Sequence, residues 1–327
     1  MDKTMTPRSM VEGALLAVIT AILALIGTFL PIASFFTFLV VAVPIIVANV
    51  RNTLLTGILA SFVAAFLVAT LTGPITAMFF YLQFMVMALA YGYLFKNKYS
   101  SGKILAVGTF VAALSTILII ALTMLVGQIG LEQQKQALFE AVDRTMNIYE
   151  EYGMLEQFKE QGISKEQLHT MLTDMVKLFI RVLPAFLIIG SVFTAVTHFI
   201  MARVALKRLG HDIPNFPPFS QWHLPWYTVW GLIGGWISYL LGDIYSQDIL
   251  RIIGQNILIA YAMVLLVLGM SVIAFYIKKF QVSRINRLFM LLAIIFMFNG
   301  FVVVTLLIGM FDLVLDHRKL KRKAKND

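Results

Sequence analysis

The chain contains no cysteine. That absence excludes a disulfide framework, a thiolate nucleophile and a cysteine-ligated metal centre. Charge is scarce as well: Asp, Glu, Lys and Arg make up 13% of the residues, about half the share in a soluble globule. Hydrophobic residues make up 60%, and mean hydropathy is +0.86. Too little polar surface is left to cover a water-soluble fold of 327 residues. The bilayer is therefore the natural solvent. An ordinary soluble enzyme, a disordered chain and a secreted disulfide scaffold are all excluded.

Enzyme signatures are missing too. There is no H-E-x-x-H zinc motif, no G-x-S-x-G elbow and no Gly-rich phosphate loop. Ser191, with His198 seven residues and about two helical turns on, does not make a serine–histidine dyad. Glu150-Glu151 resembles the start of a glutamate-based membrane protease motif, but Leu155 stands where the arginine is expected. The expectation is a protein that is not an enzyme, with no catalytic residue, metal or cofactor. The net charge of +9 comes from basic residues in short segments between apolar runs. That pattern fits loops facing anionic lipid, not a nucleic-acid surface.

What is present is a series of long apolar runs. Five come first, at Met10–Leu30, Phe35–Ala48, Thr53–Leu71, Pro74–Phe95 and Ile104–Val126. Most reach the ~20 residues that cross a bilayer. Phe35–Ala48 is short and carries Pro44, which predicts a tilted or broken helix. A polar stretch, Gln128–Lys177, then holds nine of the seventeen acidic residues. In it Leu131, Leu138, Val142, Met146 and Tyr149 recur at helical spacing, and Ser164 with Gln167 forms a capping box. The following helix is expected to continue through Phe179–Leu206, kinked at Pro184. Pro225–Leu241, Ile252–Ile277 and Leu288–Phe311 complete the series, before a basic tail from His317.

The fold expected is all-α: a polytopic integral membrane protein of eight or nine transmembrane helices. A six-helix membrane core spans 1–208 and includes the outer segment 128–177. C-terminal membrane helices span 209–316, and 317–327 is a basic cytoplasmic-type tail. Basic-residue placement puts the N-terminus, Arg51, Lys96–Lys103, Arg203–Arg208 and Lys278–Arg287 inside. The acidic segment falls outside. Nine full spans would leave the tail outside; a re-entrant last run around Asn299-Gly300 would return it to the cytoplasm.

Residues in the runs suggest sites. Gly13, Ala17 and Ala21 form a small-residue ridge that could dock another membrane protein; internal helix packing is the commoner use. Glu12, Arg181, His198, Asp243, Asp248 and Asp312 are ionisable at or near membrane depth, where charge is costly. Gln83, Gln255, Asn256 and Asn299 can hydrogen-bond a neighbouring helix or a ligand. With the N-terminus inside, a solute site belongs at the outer helix ends, where Thr28, Thr72, Thr76, Tyr81, Gln83, Gln128 and Arg181 can hydrogen-bond, and Thr76, Tyr81, Gln83 and Arg181 are the candidate ligand-binding residues. Gln83 would be a pocket floor, and Arg181 would favour an anionic or carboxylate-bearing solute, unless it snorkels to lipid phosphate.

Two resemblances add to this reading. Gly-Ala-Leu-Leu-Ala17, Val-Pro-Ile-Ile-Val-Ala48 and the small residues of the third run resemble the six-helix substrate-binding components of energy-coupling-factor importers, over about Met10–Arg208. The whole chain, with its acidic outer segment, Gln255-Asn-Ile-Leu-Ile and Gly309-Met-Phe-Asp312, more closely resembles the YybS-like family of bacterial polytopic membrane proteins. The first resemblance implies a component that binds a small solute and is energised by a separate partner. The second implies a bacterial cell membrane, and genes near a membrane cyclic-dinucleotide phosphodiesterase hint at a signalling partner. A non-transporting scaffold or regulator that binds another protein is the alternative.

Overall fold

A computed structural model describes residues 6–127, 130–281, 283, 285–286 and 298–318, without the side chains of 298–299. Every regular element among them is helical. Seven helical stretches are long and apolar enough to cross a membrane, and Gly300–Leu315 is a shorter apolar helix. The expected all-α polytopic membrane fold is therefore present. Part of the Leu288–Phe311 run, and the tail beyond Arg318, lie outside the described residues.

The chain divides into two compact units. The first comprises Met1–Glu140 and Gly190–Asn215, the second Ala141–Ile189 and Phe216–Asp327. This division differs from the boundaries read from the sequence, because most of the outer segment groups with the C-terminal helices.

The first unit opens with α1 (Pro7–Phe29), started by a Thr6–Ser9 capping box with Pro7 in its first turn. It stops before Pro31, which begins α2 (Pro31–Val40). α3 (Val43–Arg51) has Pro44 in its first turn, so the short second run is broken at Val41-Ala42 as the proline predicts. α4 (Leu54–Thr72) is capped by the Thr53 side chain and ends at Gly73, φ +88°. The next span consists of α5 (Pro74–Phe80), a π-helical segment Tyr81–Met85 and α6 (Val86–Lys96). α7 (Ser101–Gly127) follows.

Lipid supplies no hydrophobic drive for helices to associate, so close packing must hold them together. Gly13, Ala17 and Ala21 are all buried, on the helix that packs against α4. A Cβ at Gly13 would approach Thr56 Cγ2 to 2.8 Å. The ridge thus serves packing within this chain. Near the start of α1 Glu12 pairs with Arg51 at 2.7 Å, which accounts for its charge.

α8 (Leu131–Glu151) and α9 (Met154–Glu160) precede α10 (Lys165–Arg208). Ser164 and Gln167 form the expected reciprocal cap, at 2.9 and 3.2 Å. Met146, Leu155 and Leu168 make a small core with Tyr149, Phe158, Ile163 and Leu172 packed on it. α10 has 44 residues, or about 66 Å at 1.5 Å per residue. A hydrocarbon layer is ~30 Å thick, so a large part of α10 must stand outside the membrane.

Pro184 lies inside α10, where it cannot donate a backbone hydrogen bond. In the second unit, α11 (Val229–Ile244) and α12 (Asp248–Lys279) pack against one another. From α12, Asn256 reaches the proline site. Its Oδ1 accepts from Ala185 N at 2.7 Å, and its Nδ2 donates to Arg181 O at 2.8 Å. One side-chain amide thereby bridges residues 185 and 181, the backbone pair next to the 184-to-180 rung that Pro184 cannot make. The same Nδ2 donates to Ile252 O at 2.8 Å. Interhelical bonding is thus the use made of Asn256.

α13 (Phe298–Leu315) packs on α12 at a crossing of Gly269 and Gly309. A Cβ on either glycine would collide with a partner carbonyl oxygen, Thr305 O or Leu265 O. Beyond the crossing, Arg318 is fully buried and ion-paired to Asp312 at 2.7 Å. Its remaining donors reach Ser220 O at 2.9 Å, Ser271 Oγ at 2.8 Å and Trp222 O at 2.7 Å.

Candidate functional site

A cleft of about 660 Å³ opens in the first unit, a volume within the range of small-molecule sites. It is built at one end of four helices. α1 contributes Ala24, Gly27 and Thr28, and α2 contributes Ser34, Phe35, Thr37 and Phe38. Thr76, Phe79 and Phe80 come from α5, Gln83 and Phe84 from the π segment, and Ile119 from α7; Val41 completes the lining. By the basic-residue rule this is the outer end. The prolines at 31 and 74 restart the chain there, so two helix beginnings converge on one rim.

The walls are aromatic. Phe84 meets Phe38 at 5.9 Å and Phe80 at 5.7 Å between ring centroids. Behind them the fully buried His198 lies 5.2 Å from the Phe38 ring and 5.9 Å from the Phe84 ring. Its Nε2 is 2.7 Å from Phe38 O. Since a carbonyl can only accept, Nε2 carries the proton. The histidine thereby pins α2 behind the wall.

The polar part of the lining is neutral. Thr28 donates to Ala24 O at 2.9 Å, Ser34 to Pro31 O at 2.6 Å, and Thr37 to Ser34 O at 3.1 Å. These hydroxyl protons are committed, and the oxygens remain as acceptors. Thr76 and Gln83 form no side-chain hydrogen bond among the described residues, so both keep donor and acceptor capacity. Gln83 and Phe84 are part of the π segment. Such insertions re-aim side chains and recur at functional sites.

Thr28, Thr76 and Gln83, expected from the sequence, therefore line one cleft. Tyr81 does not line it: it stacks on Phe62 at 5.0 Å, and its hydroxyl lies 3.4 Å from Ser61 Oγ. Arg181 belongs to the second unit, is exposed, and is not among the lining residues. The expected anionic preference rested on Arg181, and the cleft lining carries no charged side chain to support it. Ser34, Thr37 and the phenylalanines were missed. Their one signal is the density of aromatic residues beside Pro31 and Pro74, which reads equally well as lipid-facing surface.

Among the other membrane charges, Asp243 pairs with Arg251 at 2.7 Å. No group of three or more metal-ligating side chains is present among the described residues.

The family described as "Predicted membrane protein (DUF2232)" matches residues 18–313. The chain belongs to this family. It is also 24% identical over 283 residues to the "Uncharacterized protein YybS" of Bacillus subtilis (strain 168), covering 85% of this chain and 87% of that one. No solved structure matches. Both matches extend across the two units, so the aromatic cleft and the C-terminal helices fall within one family's span.

Proposed function

We propose that the chain is the solute-binding component of a transport system in a bacterial plasma membrane, energised by a separate partner, with the aromatic cleft as its site. The observation that carries this reading is a cleft of about 660 Å³, walled by phenylalanine around the uncommitted Gln83 and Thr76. The lining chemistry favours an uncharged solute with an aromatic or otherwise apolar body. Gln83 offers an amide donor beside an amide acceptor, which suits a solute with the complementary pair. No phosphate-binding loop occurs in the chain, so energy from ATP would require the partner.

The test is mass spectrometry of small molecules that co-purify with the protein. An uncharged compound retained by the wild type and lost from Thr76→Trp, which fills the cleft, supports the reading. Equal retention by both proteins refutes the cleft as the site.

A second reading has its own observation. The outer helices have a core of their own around Met146, Leu155 and Leu168, and they expose Tyr152, Met171 and Met175. A regulator that binds another protein outside the membrane would use that layer. Deleting the layer's exposed side chains while solute retention persists would separate the two readings.

A further inference from the structure

The first unit has a second cavity, of about 300 Å³, and its chemistry is independent of the aromatic cleft. It lies beyond the end of α6, at the other end of the α5–α6 span from Thr76 and Gln83. It forms where α3, α6 and α10 finish, and every residue that lines it belongs to the first unit. Buried Phe95 and Leu206 back it, and its polar side chains are Lys96, Lys98, His211 and Asp212. The concentration of Lys and Arg around these helix ends makes this the cytoplasmic end.

The bonding in this cavity leaves a surplus of donors. Lys96 Nζ donates to Asn52 O, at the end of α3. Lys98 Nζ donates to Asp212 Oδ2 at 2.7 Å. An ammonium has three protons, so each lysine keeps further donors without a protein partner among the described residues. Carbonyls at the ends of α6 and α10 are already engaged: Tyr99 N donates to Leu94 O and His211 N to Leu206 O, both at 3.1 Å. The His211 ring makes no hydrogen bond among the described residues. Asn52, whose carbonyl holds Lys96, also has a buried Nδ2 with no partner. Against these donors the lining offers a single carboxylate, that of Asp212.

The group that complements such a lining is negatively charged and rich in acceptor oxygens. Phosphate is both, and lysine is a frequent partner for it. Asp212 is a weak obstacle, because both members of its pair with Lys98 are largely exposed and exposed pairs are loosely held. We propose that this cavity binds a phosphate group at the cytoplasmic face, with Lys96, Lys98 and His211 on its oxygens and Asp212 as the anion that it displaces. An anionic lipid headgroup and a free phosphate present the same chemistry to these side chains, and the experiment separates them.

The full-length protein in dodecyl maltoside, a detergent without phosphate, is treated with an acetylating reagent, and mass spectrometry reads the rate at each lysine. Inorganic phosphate, compared with sodium chloride at equal ionic strength, should slow Lys98 several-fold and leave Lys103 unchanged; Lys103 is exposed at the same end, over the Tyr99 ring. Slowing by inorganic phosphate in these micelles assigns a free phosphate. Slowing by added phosphatidylglycerol in chloride, with none by inorganic phosphate, assigns a lipid headgroup. Asp212→Asn removes the competing carboxylate from an exposed position, so the slowing at Lys98 should increase, a gain that no loss of structure would produce. A Lys98 rate indifferent to both probes, slowing shared equally by Lys103, or slowing that Asp212→Asn weakens or leaves unaltered overturns the site.

Discussion

Replacing Asn256 with alanine isolates the most specific contact between two helices of the second unit. The substitution removes the amide that joins Ala185 N to Arg181 O and leaves two backbone groups without a partner. Each stranded group costs about 1–3 kcal/mol in a protein interior. Interhelical hydrogen bonds measured in membranes are weaker, averaging ~0.6 and reaching ~1.7 kcal/mol. A loss of about 1–3 kcal/mol follows for Asn256→Ala. The decisive comparison is made in a Pro184→Ala background. There residue 184 regains an N–H and the backbone can close its own 185-to-181 rung, so Asn256→Ala should cost less than about 1 kcal/mol. The expected coupling between the two sites is about 1–2 kcal/mol. Denaturation of detergent-solubilised protein by sodium dodecyl sulfate measures all four corners of the cycle. Equal cost in both backgrounds would show that Asn256 does not compensate for the helix distortion beside Pro184.

Three further outcomes follow from the geometry. Gly309→Val should prevent the α12–α13 crossing, because its Cβ would collide with Leu265 O; a melting temperature within a degree of wild type would contradict that crossing. Asp312→Leu should destabilise by about 3–5 kcal/mol, the cost of stranding a buried charge, and Asp312→Leu with Arg318→Met should recover much of the loss; no recovery in the double variant rules out that origin. Gln157→Cys should be labelled by an impermeant thiol reagent on intact cells and Ser283→Cys should not; the reverse pattern would invert the topology.

The sequence carries unequal amounts of this architecture. Some local features were legible, since Ser164 with Gln167, Pro74 at the head of its run and the break at Pro44 act through local backbone chemistry; α2, which starts at Pro31 and not at Phe35, was not. The ridge of Gly13, Ala17 and Ala21 was legible as a place of close approach, but its occupant was not: a smooth face suits α4 as well as a foreign helix. Asn256 was legible as a group needing a partner. That its partners are the backbone groups of residues 185 and 181, beside Pro184, depends on folding that brings together residues 71 positions apart. Arg318 reads in sequence as the first residue of a solvated charge run; Asp312, Ser271 and two carbonyls convert it to a buried residue. The cleft was legible through Thr28, Thr76 and Gln83. In a membrane protein, phenylalanine serves lipid and ligand equally, so its hydropathy gives no sign of which way a ring faces. Arg181 misled for the complementary reason, because its charge attracted a role that the lining residues do not give it.

The central claim is that the aromatic cleft of the first unit opens to the outside and holds a small solute. The most direct measurement uses Ser34→Cys, at an exposed position in the cleft lining, with an impermeant thiol reagent on intact cells. The account predicts labelling from outside, slowed several-fold when Thr76→Trp fills the cleft and slowed likewise by the compound recovered from the wild-type protein. Labelling only from the cytoplasmic side, or at a rate indifferent to both Thr76→Trp and that compound, would contradict it.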